Sequence, residues 1–597
     1  MIKLLKNLGK KEWLLALVCL VLIIGQVWLE LKMPDYMSEI TILVQTQGSE
    51  MSEIVKNGGY MLACAFGSLV SAIIVGYIAS GISATFSMKV RKKLFNKVGN
   101  LGMSEVKQFS TSSLITRTTN DITQIQMVIA MGLQLSIKAP ITAIWAITKI
   151  LNKSWQWSSL TAVGVVVVLS VIGALMAIVM PRFKIVQKLI DKINEVTREN
   201  LTGIRVVRAF NAEKYQEDKF EEVNTKLTNQ QLFNQKAFSV LSPTMYLVMY
   251  FLTLGIYFIG AYLIRDAGMA DKIGIFGNMV VFSSYAMQVI MSFLMLAMIF
   301  MMLPRAQVSA NRINEIIETE ETIKDSKEPK KLNPNKKGLV EFKNVSFRYP
   351  DSDEEVLSDI SFTAEPGKTT AIIGSTGSGK STIVNLIPRF YDVTSGNLLI
   401  DGVDIKDISN KDLRKIIGFV PQKGILFSGT IESNIKYGNP NMSDEQMIEA
   451  AQIAQATEFI ESKPEKYQEP IAQGGSNVSG GQKQRLSIAR AIAIDPEILV
   501  FDDSFSALDF KTDSILRAEL AKKTQDKTVI IVAQRINTIL NADQIIVLED
   551  GKVVGKGTHE ELIKTNETYK QIALSQLSEE ELNLQKNQEI EGGNKHE

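Results

Sequence analysis

The sequence predicts two folds in series: an all-α bundle of six membrane-spanning helices, then an α/β domain built around a phosphate-binding loop. Three observations carry this. The 597 residues exceed what one hydrophobic core organises, and the apolar ones concentrate before about residue 304. Six runs in that first part are long and apolar enough to cross a bilayer at about 20 residues each. Further on, Gly374–Thr382 (Gly-Ser-Thr-Gly-Ser-Gly-Lys-Ser-Thr) matches G-x-x-x-x-G-K-[ST] between a strand-like run and a helix-like one.

The spans follow in order. After a basic start, Met1–Lys11, comes the first apolar run, Trp13–Leu29. It reads as a span and not a signal peptide, because Trp28-Leu29-Glu30-Leu31-Lys32 lacks a small-residue cleavage site. The second span is Tyr60–Ile82, and the loop before it carries Asp35, Glu39, Glu50 and Glu53. Lys89, Arg91, Lys92, Lys93 and Lys97 follow, and the positive-inside bias puts them in the cytosol with the N-terminus. Ile122–Ile150 and Ser154–Pro181 are the third and fourth spans, joined at Asn152-Lys153. Ala237–Ile264 and Ile273–Pro304 are the fifth and sixth, joined by Arg265–Lys272. The long polar segments Met88–Asp121 and Phe183–Lys236 read as cytosolic helix extensions, with docking turns near Met103–Ser110 and Ala209–Gln216.

Composition excludes several classes. A net charge of +1 implies no nucleic-acid partner. Cys19 and Cys64 sit in apolar runs and form no disulfide framework. His559 and His596 are the only histidines, so histidine-based catalysis is nearly excluded. The expected organisation is a membrane domain with its extensions over 1–321, a charged linker over 322–337, an α/β domain over 338–577 and a polar tail over 578–597. Strand-like runs (Leu339–Phe342, Thr370–Ile373, Ile498–Phe501, Thr528–Val532 and Gln544–Leu548) alternate with helical patterns in the third of these.

The chemistry concentrates in that α/β domain. The glycines of Gly374, Ser375, Thr376, Gly377, Ser378, Gly379, Lys380, Ser381 and Thr382 let backbone N–H groups face phosphate oxygens at a helix N-terminus. Lys380 should reach the β- and γ-phosphates of ATP, and Ser381 should ligand Mg²⁺. Ile498-Leu499-Val500-Phe501-Asp502 is a buried-strand pattern that delivers one carboxylate, Asp502, to the metal. Ser479-Gly480-Gly481-Gln482 opens a helix whose free N–H groups can hold an anion.

Together these motifs resemble an ATP-binding cassette (ABC) exporter half-transporter. The resemblance implies an all-α six-helix transmembrane domain of the type I exporter kind and an α/β P-loop NTPase nucleotide-binding domain. It further implies that Tyr349 stacks on adenine, that Gln422 contacts Mg²⁺, that Ser506-Ala507-Leu508-Asp509 is the loop after the metal carboxylate, and that Ser479, Gly480, Gly481 and Gln482 complete an ATP site on a partner. Three positions depart from the family pattern. Asp503 stands where the family has a catalytic Glu, Gln534 stands for the switch His, and Gln473 replaces a Glu shortly before the signature.

Asp is one methylene shorter than Glu, which withdraws the carboxylate by about 1–1.5 Å, while a base must sit about 2.6–3.2 Å from its proton. Gln534 cannot titrate near pH 7. The expectation is therefore a degenerate subunit: its own site binds ATP and hydrolyses it poorly, and a homologous partner carrying Glu and His supplies the competent site. A slow homodimeric exporter and an ATP-binding regulator are the alternatives. The localisation implied is the cell membrane, with the N-terminus and nucleotide-binding domain in the cytosol.

A sixth span rich in methionine (Met279, Met287, Met291, Met295, Met298, Met301, Met302) suits hydrophobic or amphiphilic small molecules such as drugs or lipids. Lys138 lies eleven residues before Lys149, about 16 Å along a helix, near mid-membrane. An ammonium there should face a wet cavity or a carboxylate. None of the six spans with these bounds contains an acid, so a partner for Lys138 is expected on another subunit or on the substrate.

Overall fold

The structure, a computed structural model, describes residues 1–576 apart from 47, 152–153, 269–270 and 334–336. The expected loop at Asn152-Lys153, the middle of the 265–272 loop, part of the 322–337 linker and the tail after 576 lie outside the described residues. The chain divides into two compact units. One is Met1–Gly99 with Thr111–Thr319, and the other is Asn100–Ser110 with the chain from Glu320 onward.

The first unit is all-α. Beside the polar helix Glu213–Ser239, six long apolar helices make it up: α1 (Lys10–Gln45), α2 (Met51–Asn100), α3 (Asn120–Leu151), α4 (Trp155–Thr202), α5 (Leu241–Asp266) and α6 (Lys272–Glu318). Each is long and apolar enough to cross a membrane. In α1, Cys19, Ile23, Val27 and Leu31 recur every fourth residue and are buried in the bundle. Leu14, Leu17, Val21, Ile24 and Trp28 are equally apolar and point away from it. A helix apolar on all sides, with only one stripe covered by protein, has lipid as the solvent of its other faces.

Close helix approach comes from small residues. Gly164 of α4 lies under Leu252 of α5, and Gly255 of α5 lies under Leu160 of α4; a Cβ at either glycine would stand 2.6 Å from the facing leucine methyl. The two helices therefore pack glycine against leucine reciprocally, as dispersion-driven membrane packing favours. Buried Trp157 adds an indole N–H bond to the Ile256 carbonyl at 3.1 Å.

α1 continues 16 residues past the predicted end of the first span, so Glu30 and Asp35, expected at its edge and in a loop, are helical. This follows from an uninterrupted helical pattern that charge alone does not break. Pro34 sits inside the helix, where it removes one N–H without ending it.

The second unit is α/β. Its strands are β1 (Val340–Phe347), β2 (Leu357–Ala364), β3 (Thr369–Gly374), β4 (Ser395–Ile400), β5 (Val403–Asp404), β6 (Ile417–Val420), β7 (Gly429–Thr430), β8 (Pro470–Ile471), β9 (Ile498–Asp502), β10 (Thr528–Val532), β11 (Gln544–Glu549) and β12 (Lys552–Gly557). A six-stranded sheet has the order β12-β11-β3-β10-β9-β6 and is parallel throughout except for the β11–β12 hairpin edge. Its central strands are buried on both faces, which is why Ile498–Asp502 and Thr528–Val532 read as continuous apolar runs. An antiparallel four-stranded sheet, β2-β1-β4-β5, lies beside it in the same core.

Residues 324–330 are held against this unit and do not run free. Arg389, itself buried, donates to the Lys324 carbonyl at 3.2 Å; Asp325 accepts from the Asn410 N–H at 2.8 Å; Lys330 bonds Asp407 through both backbone and side chain. The Asn100–Ser110 segment also belongs here. Glu105 accepts from Thr322 at 2.6 Å, and the Lys107 ammonium lies 4.9 Å from the Tyr349 ring centre and 5.7 Å from that of Tyr391.

His559 is partly buried in this unit, its Nδ1 2.7 Å from the Tyr569 hydroxyl. Burial holds its pKa below the ordinary histidine value of 6.5. The unfolded chain therefore takes up a proton at a higher pH than the folded one. The stability tied to the neutral ring is present above about pH 6.5 and is lost as pH falls below it, at about 1.4 kcal/mol per unit of displacement. Thermal melts of the full chain between pH 7.5 and 5.5 should lose less stability for His559→Gln than for the wild type. Parallel curves would show that other groups set the dependence.

Candidate active site

The phosphate loop is built where β3 ends. Ile372 and Ile373 are fully buried, so the strand is fixed in the sheet and its C-terminal residue, Gly374, is held against β11. A Cβ at Gly374 would collide with the Leu548 carbonyl. Gly379 adopts φ +96°, a left-handed conformation that L side chains avoid, and caps the helix α7 (Lys380–Leu386). This path turns the loop back over the helix N-terminus and leaves Ser375, Thr376 and Gly377 exposed at its crest. Lys380 is buried, and its ammonium donates to the Gly374 and Ser375 carbonyls at 2.9 and 2.6 Å. Burial pushes it below the usual lysine pKa, and the Asp503 and Asp502 carboxylates oppose that shift.

Two of the three expected metal-binding groups, Ser381 and Asp502, meet directly, while the third, Gln422, reaches Asp503. Ser381 donates its hydroxyl to Asp502 Oδ1 at 2.8 Å, at the C-terminal end of β9. Burial raises the Asp502 pKa, and the Ser381 bond partly offsets this. Among the described residues no cluster of three or more His, Cys, Asp or Glu side chains forms a closed cage. One carboxylate plus one hydroxyl beside a phosphate cradle is the donor set that suits Mg²⁺ held partly by nucleotide phosphates and water. The residues present thus fit ATP with Mg²⁺.

Three further residues expected at this site come together at one atom. Asp503 Oδ2 accepts from the Gln534 side chain at 2.8 Å and from the Gln422 side chain at 3.2 Å. Gln534 follows β10, and Gln422 follows β6, so three strand ends deliver the cluster. Asp503 has φ +49°, a region that Asp tolerates better than longer side chains do. Burial raises its pKa, and the Gln422 bond acts against the rise. Both side chains that donate to Oδ2 are neutral amides.

The signature lies apart from these groups. Ser479 caps α8 (Gly480–Ala493): its hydroxyl accepts from the Gln482 N–H, and the Gln482 side chain accepts from the Ser479 N–H. This reciprocal capping box fixes the first turn while leaving Ser479 and Gly480 exposed. Among the described residues, no hydrogen bond joins Ser479–Gln482 to the phosphate loop. Gln473 lies exposed in the turn before the signature.

Tyr349, expected to stack on adenine, lies beside α7. Its hydroxyl is 3.1 Å from the Thr382 hydroxyl, and its ring packs edge-on against Phe347 and Tyr391. Lys107 beside it is absent from the expected set. Its position 242 residues earlier in the chain gives no sequence signal, although Met103–Ser110 is expected to dock. Lys107→Met keeps the apolar stem and removes the charge over the ring. Such contacts contribute about 0.5–1 kcal/mol at partly exposed sites. Titration with a fluorescent ATP analogue should therefore show binding weakened two- to fivefold, about that free energy. Unchanged binding would mean that the lysine only covers the tyrosine.

Lys138 requires a correction. Its partner is in this chain: the ammonium donates to Glu30 Oε1 of α1 at 2.8 Å. A second pair follows, with Lys149 donating to Asp35 at 2.9 Å, and Asp35 also accepts from the Tyr285 hydroxyl at 2.7 Å. Ending the first span at its first charged residue excludes both acids, whereas the helix carries on through them.

Comparison with known proteins agrees with this architecture. The ABC transporter transmembrane region family matches residues 14–293, and the ABC transporter family matches residues 357–506. An uncharacterized ABC transporter ATP-binding protein of Mycobacterium bovis is 39% identical over 530 residues, covering 88% of this chain and 90% of its own length. A similarly described protein of Bacillus subtilis is 36% identical over 577 residues, covering 95% and 97%. A putative multidrug export ATP-binding/permease protein of Staphylococcus aureus is 47% identical over 237 residues, 40% of this chain and 41% of that one. The solved structure of a bacterial Atm1-family ABC exporter with ATP bound superposes with a TM-score of 0.81 at 23% identity, covering 96% of this chain and all of that one, and shows the shared fold. The chain belongs to the ABC transporter family: a multi-pass membrane protein with the exporter fold, carrying its membrane helices and its ATP-binding domain on one polypeptide for ATP-driven transport.

Proposed function

We propose that this chain is the degenerate-site subunit of a heterodimeric exporter that moves drugs or other hydrophobic or amphiphilic compounds out across the cell membrane. The observation that carries the reading is the Asp503 carboxylate, with one oxygen engaged by the neutral amides of Gln422 and Gln534. A competent site needs a carboxylate that reaches the attacking water and a group that responds to the γ-phosphate. Here the carboxylate is short and drawn toward two amides, and the switch position cannot titrate. The lost positioning should slow phosphoryl transfer while leaving ATP binding intact.

In this reading Lys380 and the loop N–H groups hold the β- and γ-phosphates, Tyr349 holds adenine, and Ser381, Asp502 and Gln422 hold Mg²⁺. The metal, when bound, neutralises charge developing on the phosphate oxygens. The Ser479-Gly480-Gly481-Gln482 turn, exposed at Ser479 and Gly480, completes the ATP site of a homologous partner that carries Glu and His. The N-terminus and the ATP-binding domain face the cytosol, as the lysines following the second span indicate. A multidrug description of the S. aureus relative supports the substrate class.

Steady-state ATPase assays test this. The purified chain alone should turn over ATP slowly, and co-expression with its partner should raise turnover by about tenfold or more. Converting Asp503→Glu and Gln534→His together should raise hydrolysis by the chain alone, though the positive φ at 503 will limit the gain. Rapid turnover by the unmodified chain alone would refute the degenerate assignment.

A further inference from the structure

Beside the Glu30–Lys138 pair lies a cavity of about 220 Å³ whose lining is flexible and apolar at Met33, Met37 and Met61 and polar at Glu30, Ser284 and Gln288. Lys138 is not in the wall. It reaches Glu30 from α3, and Gln26 and Ser68 reach the same oxygen, so Oε1 takes donors at 2.8, 2.9 and 3.0 Å. Among the described residues no donor reaches Oε2. Ser284 adds a hydroxyl to the wall and Gln288 a carboxamide. Gln288 Oε1 is buried and unpaired among the described residues. Pro34, in the wall one turn beyond Glu30, has no N–H to give to the Glu30 carbonyl.

Two unpaired side-chain acceptors, Glu30 Oε2 and Gln288 Oε1, therefore belong to the lining of an apolar cavity in a membrane bundle, where an unsatisfied polar group is costly. The volume corresponds to about seven waters at ~30 Å³ each. Drug-sized sites are commonly about 300–1,000 Å³, so this cavity holds a headgroup and not a whole ligand.

We infer that this cavity is a subsite for the ammonium head of an amphiphile: the head donates to Glu30 Oε2 and Gln288 while the apolar body lies along the methionines. The inference rests on the exporter reading for the ligand's onward transport, and not for its binding. Lys138 acts as a positioning residue that holds the carboxylate toward the cavity. The ammonium could belong to a soluble amphiphile or to a membrane phosphatidylethanolamine.

The test is fluorescence titration of the full chain in phosphatidylcholine nanodiscs with dansylcadaverine, an alkylammonium, and with its uncharged N-acetyl analogue. The charged probe should bind more tightly than the acetylated one. Gln288→Leu, which leaves the ion pair intact, and the paired Glu30→Gln/Lys138→Met, which leaves no lone charge, should each weaken the charged probe and spare the neutral one. The loss expected for the pair is about tenfold or more, as for a charge-assisted hydrogen bond. Adding an equal part of phosphatidylethanolamine to the nanodisc separates the sources. Competition assigns the subsite to lipid, and its absence assigns it to soluble amphiphiles. Equal binding of both probes, or unchanged binding of the charged probe in both variants, overturns the proposal. Selective binding without efflux from vesicles would instead count against the exporter reading and leave the subsite standing.

Discussion

Gly480→Asp in this chain should reduce ATP turnover of the assembled transporter to near background, whereas Asp503→Asn should lower it only a few-fold. The contrast inverts what distance from this chain's own phosphate loop would suggest. A Cβ at Gly480 meets nothing within 4 Å, and no left-handed backbone angle is needed there. The substitution is therefore well tolerated within the chain. An acid in the first turn of α8 is even favourable with respect to the helix dipole. Its harm must come from outside: a carboxylate placed where a partner's γ-phosphate approaches opposes the charge that this turn is proposed to stabilise. Removal of one comparable anion-hole donor costs roughly 10²–10³ in rate, and reversing its charge should cost no less.

Asp503→Asn instead alters a carboxylate already engaged by two amides in a site proposed to do little chemistry. ATPase and vesicle-transport assays on the co-purified pair measure both, and equal melting temperatures for Gly480→Asp and wild type would exclude a folding defect. If Asp503→Asn abolished activity and Gly480→Asp spared it, this chain would be the catalytic subunit.

Glu30→Ala should lower stability by about 2–3 kcal/mol, and Glu30→Gln with Lys138→Met should restore most of it. Breaking a fully buried pair costs about 3–5 kcal/mol because one charge is left unpaired. Here each side chain keeps roughly a fifth of its exposure (23% and 21%), which reduces the cost. The single variant strands the Lys138 ammonium among apolar helices. The double variant removes both charges, and methionine fills the space of the lysine stem. The two changes are in contact and should be strongly non-additive. Thermal unfolding in detergent reads the coupling. If the double variant were as unstable as the single, packing around Glu30 and not the charge pair would account for the loss.

Much of the molecule is legible in the order of its residues, and the reason differs by region. The membrane half announces itself because lipid requires helices that are apolar all round, so composition alone marks all six. The phosphate loop is legible because its function fixes backbone conformation, and only glycine supplies φ +96° where Gly379 stands. Asp502 is legible because β9 and β10 are buried on both faces, which turns strands into uninterrupted apolar runs ending at Asp502 and Val532.

What the chain order does not contain is pairing across it. The convergence of Gln422, Asp503 and Gln534 on one oxygen exists only once β6, β9 and β10 lie side by side. Lys107 meets Tyr349 because Asn100–Ser110 packs in the second unit, although it is flanked by helices of the first. The Lys138–Glu30 pair escapes a reading that ends each span at a charged residue. Only the packing of α1 against α3 shows how a membrane helix can hold an acid in its interior. Local sequence determined which segments are helices, strands and phosphate loops, because those depend on neighbours a few residues apart. Tertiary structure decided how Lys138 and Glu30, 108 positions apart, neutralise each other and which acceptors remain at the cavity beside them, because that depends on how the helices pack.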